Sequence, residues 1–313
     1  MKKIDVVVFN SHGVGQYAYC NKLPEWGETL SVKNWHIAED GGKESNVAVA
    51  LGRLGVNTSF ICKVGNDAWG DVGEKWLHEA GVDTTYLYRT DEVATGTGLI
   101  LIGPNGKNSI IDGDSSSSTL TEEEVINALD NLSNAKYLVT GFEVPIDHSI
   151  LAAKYAHEKG LKVALNPSPL PEKRISDLSF VDYLFVNEIE GKFFTDHMKD
   201  ENLDSKILLK EIINTVGCKN VIMTLGDKGS ISLGIDGYIE IEAVSIDKDK
   251  IKNTAGAGDG YMAACISALI KGKTLESAMK FASYYSALSI TIDGTIPAYR
   301  PLDEVEDFID KYI

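Results

Sequence analysis

Short apolar segments rich in β-branched residues recur along the chain and alternate with segments whose apolar residues repeat at helical spacing. They predict strands at residues 6–9, 59–64, 137–140, 162–165, 183–186 and 221–225. Several are apolar throughout, which is typical of central strands covered on both faces. Thr121 with Glu124 indicates a capping box, and Asp147 and Thr274 are candidate caps of two further helices. Strands and helices in alternation predict a three-layer α/β fold with a mostly parallel sheet.

Two segments, residues 12–36 and 95–114, show alternating patterns without an intervening helix. The second is typical of a hairpin, because Pro104, Asn105 and Gly106 separate two apolar stretches and Asn-Gly favours the positive φ angles of a tight turn. Together the two segments predict a small accessory sheet attached to one domain that spans residues 1–313.

The charge balance limits the classes of partner. Thirty Lys and Arg residues against 46 Asp and Glu residues give a formal net charge of −16. Such a field repels nucleic-acid backbones and anionic lipid surfaces, so neither is an expected partner. A phosphorylated ligand would have to be bound locally, by backbone amides at a helix start or by a metal ion.

The cysteine and hydropathy patterns predict a soluble, cytoplasmic protein. The four cysteines are far apart and form no C-x-x-C pair, which indicates a reducing compartment. The apolar stretch near the N-terminus is too short for a signal peptide, and residues 261–270 reach only about half the length of a membrane-spanning helix. The six histidines have no metal-ligand spacing, so a transition-metal site is not expected.

A glycine-rich loop, residues 253–260, precedes an apolar run that predicts a buried helix. Gly256 and Gly258 would allow backbone N–H groups to approach an anion at the positive end of the helix dipole. Asp259 would face that anion, where a carboxylate is unfavourable for binding alone but suits a base that accepts the proton of an attacking hydroxyl. The pattern leaves open the alternative that Asp259 only caps the helix.

Two common phosphate-binding loops are excluded by spacing. Tyr261 occupies the position of the last glycine in a G-x-G-x-x-G motif counted from Gly256. The Gly41-Gly42-Lys43 sequence lacks the upstream glycine and the following Ser or Thr of a Walker A loop. The sequence therefore favours neither a dinucleotide-binding dehydrogenase nor a P-loop ATPase.

A second group of polar residues lies at positions 41–46, ahead of an amphipathic helix for which Gly55 is the expected stop. The open backbone at Gly41 and Gly42 and the amide of Asn46 could bind the hydroxyls of a polyol, with Lys43 free to reach a phosphate. The alternative is an ordinary surface loop before a helix.

Taken together, these two motifs resemble the signatures of the ribokinase (PfkB-type) carbohydrate kinases. Residues 41–55 resemble the first signature and residues 253–259 the second, in the expected order and at roughly the expected separation. The further matches, which extend the resemblance over nearly the whole chain, are residues 64–67 with Gly70, Asn166-Pro167, Asn187 with Glu190, and Thr224 with Gly226 and Gly229. The resemblance implies a ribokinase-like three-layer αβα sandwich, with residues 12–36 and 95–114 as a β-sheet lid over the sugar.

The resemblance also implies roles for individual residues. Asp259 would be the catalytic base, and Gly256, Ala257 and Gly258 would form the anion hole for the transferred phosphoryl group. The implied substrate-binding residues are Gly41, Gly42, Lys43, Asn46 and Glu143. The implied ATP-binding residues are Asn187, Glu190, Thr224, Gly226 and Gly229, with Glu190 also expected to contact Mg²⁺ through water. Glu143, Asn166 and Asn187 follow apolar strands, which independently favours ligand binding.

Two further expectations concern the cofactors and the assembly. Family members commonly use a monovalent cation beside the anion hole, with Asp at the position of Asn253 in this chain. An amide removes the negative charge that helps retain K⁺, so activation by K⁺ is doubtful. The family's lid often mediates dimerisation, so a homodimer through the lid is the candidate assembly.

The acceptor is expected to differ from plain ribose, or ribose to be a poor substrate. Ribokinases carry an Asn-x-Asp element after the first strand, and the alignment through Pro24, Gly27, Glu28 and Thr29 places Gly13 and Gly15 at those positions. A shifted alignment that places Asn10 in the Asn role is the open alternative. The missing carboxylate forfeits hydrogen bonds to adjacent hydroxyls, and the two glycines are expected to open space for a bulkier acceptor. The open alternatives are a nucleoside, another sugar or a sugar acid as acceptor and, from a different class, a non-catalytic sugar- or nucleotide-binding regulator.

Overall fold

The structure, a computed structural model, describes residues 3–103, 108–198 and 203–312. The strands are β1 (Val6–Phe9), β2 (Gly13–Tyr19), β3 (Lys33–Ile37), β4 (Thr58–Gly65), β5 (Leu87–Thr90), β6 (Gly96–Ile102), β7 (Asn108–Asp112), β8 (Tyr137–Thr140), β9 (Lys162–Leu165), β10 (Tyr183–Asn187), β11 (Asn220–Thr224), β12 (Ser230–Gly234) and β13 (Gly237–Ile241). The α-helices are α1 (Lys43–Arg53), α2 (Ala68–Glu79), α3 (Glu122–Asn131), α4 (Ile146–Glu158), α5 (Glu188–Phe193), α6 (Ser205–Val216), α7 (Ala257–Ile270), α8 (Leu275–Ser289) and α9 (Leu302–Asp310).

The large sheet has the strand order β13-β12-β11-β10-β9-β8-β1-β4-β5. Strands β11 to β5 in this order run parallel, whereas β12 and β13 add an antiparallel edge. The strands β4 and β5, which follow β1 in sequence, lie on one side of β1 in the large sheet. The later strands β8 to β13 lie on the other side. The strand order therefore reverses beside β1, and in open α/β sheets such a switch point forms a ligand-binding crevice at the carboxyl ends of the strands.

Both faces of the large sheet are covered by helices. In β1, Val6 and Val8 belong to a core with residues of α1, α2, α7, α8 and α9. Their neighbours Val7 and Phe9 belong to a second core with residues of α3, α4, α5 and α6. Because successive side chains of a strand point to opposite faces, the uniformly apolar β1 is buried from both sides. The expected three-layer α/β architecture is confirmed.

The two segments without helices form a separate small sheet with the strand order β3-β2-β6-β7. The β6–β7 pair is antiparallel, as the hairpin pattern predicted, while the turn residues Pro104, Asn105 and Gly106 lie outside the described residues. Strands β2 and β6 pair in parallel. A small core of Ala18, Cys20 and Leu101 packs beneath this sheet.

Most of the local expectations are confirmed, with one correction. All six predicted strands are present, with bounds within one residue of those predicted. Thr121 and Glu124 form the capping box of α3, and Thr274 caps α8. The prediction for Asp147 was wrong, because α4 begins after Pro145 without a side-chain cap and Asp147 lies in its first turn. A capping residue must immediately precede the helix, whereas Asp147 is the second residue of α4.

Two further findings concern the whole described chain. Over the ranges that the structure describes, no helix combines the length and the apolar character that crossing a membrane requires. All four cysteines are free thiols in buried positions. Burial strongly raises the pKa of the thiols of Cys62 and Cys265, which removes them as candidate nucleophiles.

Candidate active site

Polar side chains gather where the parallel strands end at the switch point. They are Asn10 after β1, Glu143 after β8, Asn166 after β9, and Asn187 and Thr224 as the last residues of β10 and β11. Helices α1 and α7 begin at the same edge of the sheet, so their positive N-terminal ends adjoin these polar groups. A small cleft between them is bordered by Lys43, Glu44, Asn166, Asn187, Glu190, Thr224, Gly258 and Asp259.

The glycine-rich loop leaves the start of α7 open to a ligand. Gly256 is the N-cap residue, with φ of 71°, and no side chain caps the helix. A β-carbon at Gly256 would overlap Thr295 and the hydroxyl of Tyr299, which donates a hydrogen bond of 3.0 Å to the Gly256 carbonyl. At Gly258, by contrast, nothing lies within 4 Å of the position that a β-carbon would occupy. The loop is therefore packed against Thr295 and Tyr299 at Gly256 and is open at Gly258, as an anion-binding helix start requires.

Asp259 does not cap α7, so the capping alternative receives no support from the geometry. Its Oδ2 accepts a hydrogen bond of 3.0 Å from Nδ2 of Asn46. Burial raises the pKa of Asp259, while the Lys43 ammonium and the Asn46 hydrogen bond act in the opposite direction. A carboxylate whose pKa lies above its usual value is a better proton acceptor than an exposed one, provided that it stays ionised.

Lys43 is surrounded by carboxylates. Burial by itself would lower the pKa of its ammonium group, but Asp259, Glu190, Glu44 and Glu143 raise it, and the net shift is upwards. Lys43 is therefore a permanent cation within an otherwise acidic site, and it is the local positive charge that a phosphate would need.

Glu143 connects the end of β8 to the start of α1. Its two carboxylate oxygens accept hydrogen bonds of 3.2 and 3.1 Å from the backbone N–H of Lys43, and Ser11 donates to Oε2 at 3.2 Å. Burial raises the pKa of Glu143 to about 7, and the Lys43 backbone hydrogen bond opposes this shift. Glu143 thus satisfies an N-terminal donor of α1 and also faces the site.

Asn46 uses both ends of its amide within the protein. Its Oδ1 accepts from the Gly41 N–H at 3.1 Å, and its Nδ2 donates to Asp40 Oδ1 and to Asp259 Oδ2, both at 3.0 Å. Gly42 has φ of 86° and donates its N–H to Asp40 Oδ1 at 3.0 Å. The loop before α1 is therefore organised around two side chains, Asp40 and Asn46.

Asn187 and Glu190 form a reciprocal capping box at the start of α5. The Glu190 N–H donates to Asn187 Oδ1 at 2.8 Å, and the Asn187 N–H donates to Glu190 Oε2 at 2.9 Å. Asn166 Nδ2 adds a hydrogen bond of 3.3 Å to the same Glu190 oxygen. Both residues border the cleft with Thr224, so they combine a structural role with a position facing the cleft.

Gly226 and Gly229 lie in the turn that follows β11 and do not border this cleft. Their φ angles are 61° and 99°, and a β-carbon at Gly229 would overlap the backbone of β13 near Ile241. The backbone of the turn therefore requires glycine at position 229 on conformational grounds alone.

Asp40 and Glu44 were given no role from the sequence, and Asn10 was considered only as an alternative position for the Asn of the Asn-x-Asp element. Asp40 was part of no motif, although an acidic residue directly before a glycine pair was a visible signal. Glu44 and Asn10 are fully buried and hydrogen-bonded to each other, while Glu44 Oε1 and Asn10 Oδ1 have no partner among the described residues. Glu44 lies against Gly141, where a β-carbon would occupy the place of its carboxylate.

The expectation that Gly13 and Gly15 open space for a larger acceptor is wrong. A β-carbon at Gly13 would lie 3.0 Å from the Gly96 carbonyl oxygen, and one at Gly15 would lie 3.1 Å from Ile100 and 3.2 Å from Ala38. Neighbouring strands of the small sheet pack into the volume that side chains would fill. The two glycines therefore permit close packing of β2 rather than a wider pocket.

A second cleft of about 590 Å³ lies between the small sheet and the segment before α7. Tyr17, Tyr19 and His36 border it on one side, and Lys252 and Asn253 on the other. The Asn253 Oδ1 accepts a hydrogen bond of 2.9 Å from the Ala255 N–H. This oxygen is thus already engaged in the turn that leads into the glycine-rich loop.

Comparisons with known proteins agree with the geometry. A family model described as pfkB family carbohydrate kinase matches residues 17–301. The chain is 32% identical over 301 residues to a ribokinase of Staphylococcus aureus, covering 96% of this chain and 98% of the relative. It is 27% identical over 307 residues to a deoxyribokinase of Salmonella typhi, covering 98% and 99%. The structure of Arabidopsis thaliana ribokinase complexed with ribose and ATP matches with a TM-score of 0.90 at 25% identity over 98% of both chains.

Proposed function

Because this chain belongs to the pfkB family of carbohydrate kinases and is an ATP-dependent sugar kinase, we propose that it phosphorylates a hydroxymethyl group of its acceptor with Asp259 as the base. The observation that carries this proposal is the uncapped start of α7, where Asp259 lies beside an open glycine loop. A regulator that only bound the sugar or the nucleotide would have no use for a carboxylate at that position.

In the proposed reaction, the acceptor hydroxyl attacks the γ-phosphorus of ATP while its proton passes to the Asp259 carboxylate. The new bond joins the acceptor oxygen to phosphorus, and the bond to the β-phosphate oxygen breaks to release ADP. The backbone N–H groups of Gly256, Ala257 and Gly258 hold the transferring phosphoryl oxygens, and Lys43 offsets their charge. These groups act by positioning and electrostatics, which supply most of the catalysis in phosphoryl transfer.

The acceptor is proposed to lie over the start of α1, in contact with Gly41, Gly42, Lys43, Asn46 and Glu143. These residues adjoin Asp259 through the Asn46 amide, which supports the assignment. Glu143 supplies carboxylate oxygens and Lys43 a donor, which is a suitable combination for sugar hydroxyls.

The nucleotide is proposed to lie towards β10 and β11, with its phosphates near Asn187, Glu190 and Thr224. Its adenosine part is proposed to lie at the turn that contains Gly226 and Gly229. Mg²⁺ would neutralise charge on the phosphates. The described residues offer no cluster of three or more metal-ligating side chains, but Mg²⁺ bound to nucleotide commonly uses one or two carboxylates plus phosphate oxygens and water. Glu190, which borders the cleft, fits such a contact through water.

The small sheet is proposed to act as a lid and, through a second copy of this chain, as a dimer interface. Its strand β3 is exposed along its whole length, with Trp35 57% and Ile37 44% exposed, and Tyr19 on β2 is 43% exposed. Large apolar side chains grouped on one sheet are typical of an interface. A lid that excludes water would limit wasteful hydrolysis of ATP.

Among the alternative acceptors, the charges of the site favour a neutral molecule. Three carboxylates, those of Asp40, Glu143 and Asp259, lie near the proposed acceptor position with one cation, Lys43. A sugar acid would add a further negative charge. A nucleoside acceptor remains the second candidate, because the cleft bordered by Tyr17, Tyr19 and His36 offers aromatic rings on which a base could stack.

Replacing Asp259 with Asn should lower kcat by roughly 10²- to 10⁴-fold, because the amide cannot accept the proton. The affinity for ATP should change little, since the backbone amides remain. Kinetics with ATP and Mg²⁺, coupled to detection of ADP, measure both quantities, and Asp236→Asn on an exposed turn is the matched control. Near-normal turnover of a folded Asp259→Asn protein would contradict the assignment.

Ribose should be a poor acceptor, with a kcat/KM about tenfold or more below that of the preferred member of a panel of sugars, sugar acids and nucleosides. Strand β2 offers no carboxylate for adjacent hydroxyls, and each lost charged hydrogen bond forfeits about 1.5 to 3 kcal/mol. The measurement is a panel of ribose, deoxyribose, fructose, sugar acids and nucleosides. A clear preference for ribose with a low KM would refute the prediction, and a preference for a nucleoside would support the second candidate.

Replacing Na⁺ with K⁺ at constant ionic strength should change kcat by less than about twofold, because Asn253 lacks the full charge that attracts a cation. The variant Asn253→Asp should gain stimulation by K⁺. Strong activation of the unmodified protein would show that the amide and neighbouring backbone oxygens suffice to hold the ion.

Light scattering on a sizing column should give the mass of a dimer, and Ile37→Asp should shift it to that of a monomer by burying a charge in the interface. The control is Ile235→Asp, which places the same change at a residue 76% exposed on the β12–β13 turn. A monomeric unmodified protein, or equal effects of the two variants, would rule out the lid as the interface.

A further inference from the structure

Asp40 lies at the junction of three parts of the molecule. The small sheet reaches it through Ala38, whose N–H donates to the Gly15 carbonyl at 2.8 Å. The start of α1 reaches it through the Gly42 N–H, at 3.0 Å from Asp40 Oδ1. The segment behind the glycine loop reaches it through Thr295, whose hydroxyl donates to Asp40 Oδ2 at 3.0 Å. With these donors on both oxygens, the orientation of the carboxylate is fixed.

The Asn46 amide joins Asp40 to Asp259. The two hydrogens of one NH₂ group bind one oxygen of each carboxylate, both at 3.0 Å, and the Gly41 N–H binds the amide oxygen at 3.1 Å. Rotating the amide by half a turn would direct its oxygen at two carboxylates and its NH₂ at an N–H donor. The orientation of Asn46 is therefore determined by its partners, and with it the position of the hydrogen that holds Asp259 Oδ2.

We propose that Asp40 is a positioning residue for the phosphoryl transfer, acting through the Asn46 amide to fix the Asp259 carboxylate towards the acceptor hydroxyl. The inference rests on the proposed role of Asp259 as the base. Asn46 is 2% exposed and lies between the two carboxylates, so loss of the Asp40 contact would release one hydrogen of the amide and leave the orientation of this Asp259 partner to the Gly41 N–H. A base must be held in a narrow geometry to act, and small misplacements reduce rates strongly.

Asp40 also links the lid to the base. Residues 38–40 follow β3 directly, and the Glu39 carbonyl accepts from the Ile296 N–H at 2.8 Å. Thr295, the neighbour of Ile296, packs behind Gly256 at the start of α7. A displacement of the small sheet would therefore move Asp40. Through Asn46 and Thr295, it would affect Asp259 and the start of α7, which are proposed to perform the transfer.

The first test compares Asp40→Ala with Glu39→Gln, which removes a negative charge from the adjacent exposed side chain. Asp40→Ala should lower kcat by roughly 10- to 100-fold while the KM for ATP changes by less than about twofold. The Asp40 carboxylate is hydrogen-bonded to Gly42, Asn46 and Thr295, and to none of the residues that are proposed to bind the nucleotide. Glu39→Gln should retain the activity of the unmodified protein. A normal kcat in Asp40→Ala, or a loss that appears only as a raised KM for ATP, would overturn the proposal.

The second test uses the nearly isosteric Asp40→Asn, which keeps an oxygen for Asn46 and therefore the fold. The groups whose charges face Asp259 are Lys43, Asp40 and Glu190, together with Glu44, Glu143 and the phenol of Tyr299. The negative charge of Asp40 favours protonated Asp259 and so raises its pKa. Removing that charge should move the acid limb of the pH profile of kcat/KM for the acceptor to lower pH. An unmoved limb would overturn the proposal.

The third test is a double-mutant cycle. If Asp40 acts through Asp259, adding Asp40→Ala to Asp259→Asn should cost less than about twofold in kcat, because the base is already absent. A further loss as large as that of Asp40→Ala alone would mean an independent role and would overturn the positioning role only. Near-normal turnover of Asp259→Asn alone would instead refute the proposed base, and the positioning role with it.

Discussion

The site depends on keeping one carboxylate ionised in a place from which most water is excluded. Burial favours the neutral form of Asp259, and nearby carboxylates reinforce that tendency. The Lys43 ammonium and the Asn46 amide oppose it, and the positive start of α7 acts in the same direction as these two groups. All three come from α1 and α7, which share one core against the same face of the sheet. The packing of two buried helices therefore determines the protonation state of Asp259 on which the proposed chemistry relies.

Several side chains at this edge of the sheet bind the first turns of helices and also face the proposed ligand position. Glu143 binds the first N–H of α1, and Asn187 and Glu190 close the first turn of α5. Because these contacts are made within the protein itself, the groups that are proposed to bind ligands are already held in place. A substitution at Glu143 or Glu190 is therefore expected to change the stability of the protein as well as its proposed ligand binding.

The sequence allowed the prediction of features encoded within short stretches. Uniformly apolar runs predicted strands such as β1, and a Thr and a Glu three residues apart predicted the cap of α3. Features that depend on distant partners could not be predicted. The contact between Glu143 and α1 spans 100 residues, and that between Asp40 and Thr295 spans 255. The close packing at Gly15 likewise depends on Ile100 and Ala38, which no local pattern reveals.

The pairing of β2 with β6 has a consequence for how the chain folds. These strands run parallel and are separated in sequence by β3, α1, β4, α2 and β5. Closing such a long loop costs entropy that the few contacts of a small sheet cannot repay until the intervening elements have formed. The nucleus should therefore lie in the large sheet and its helices, and the small sheet should be acquired late. The sheet that is proposed to act as the lid is thus the last part of the molecule to become native.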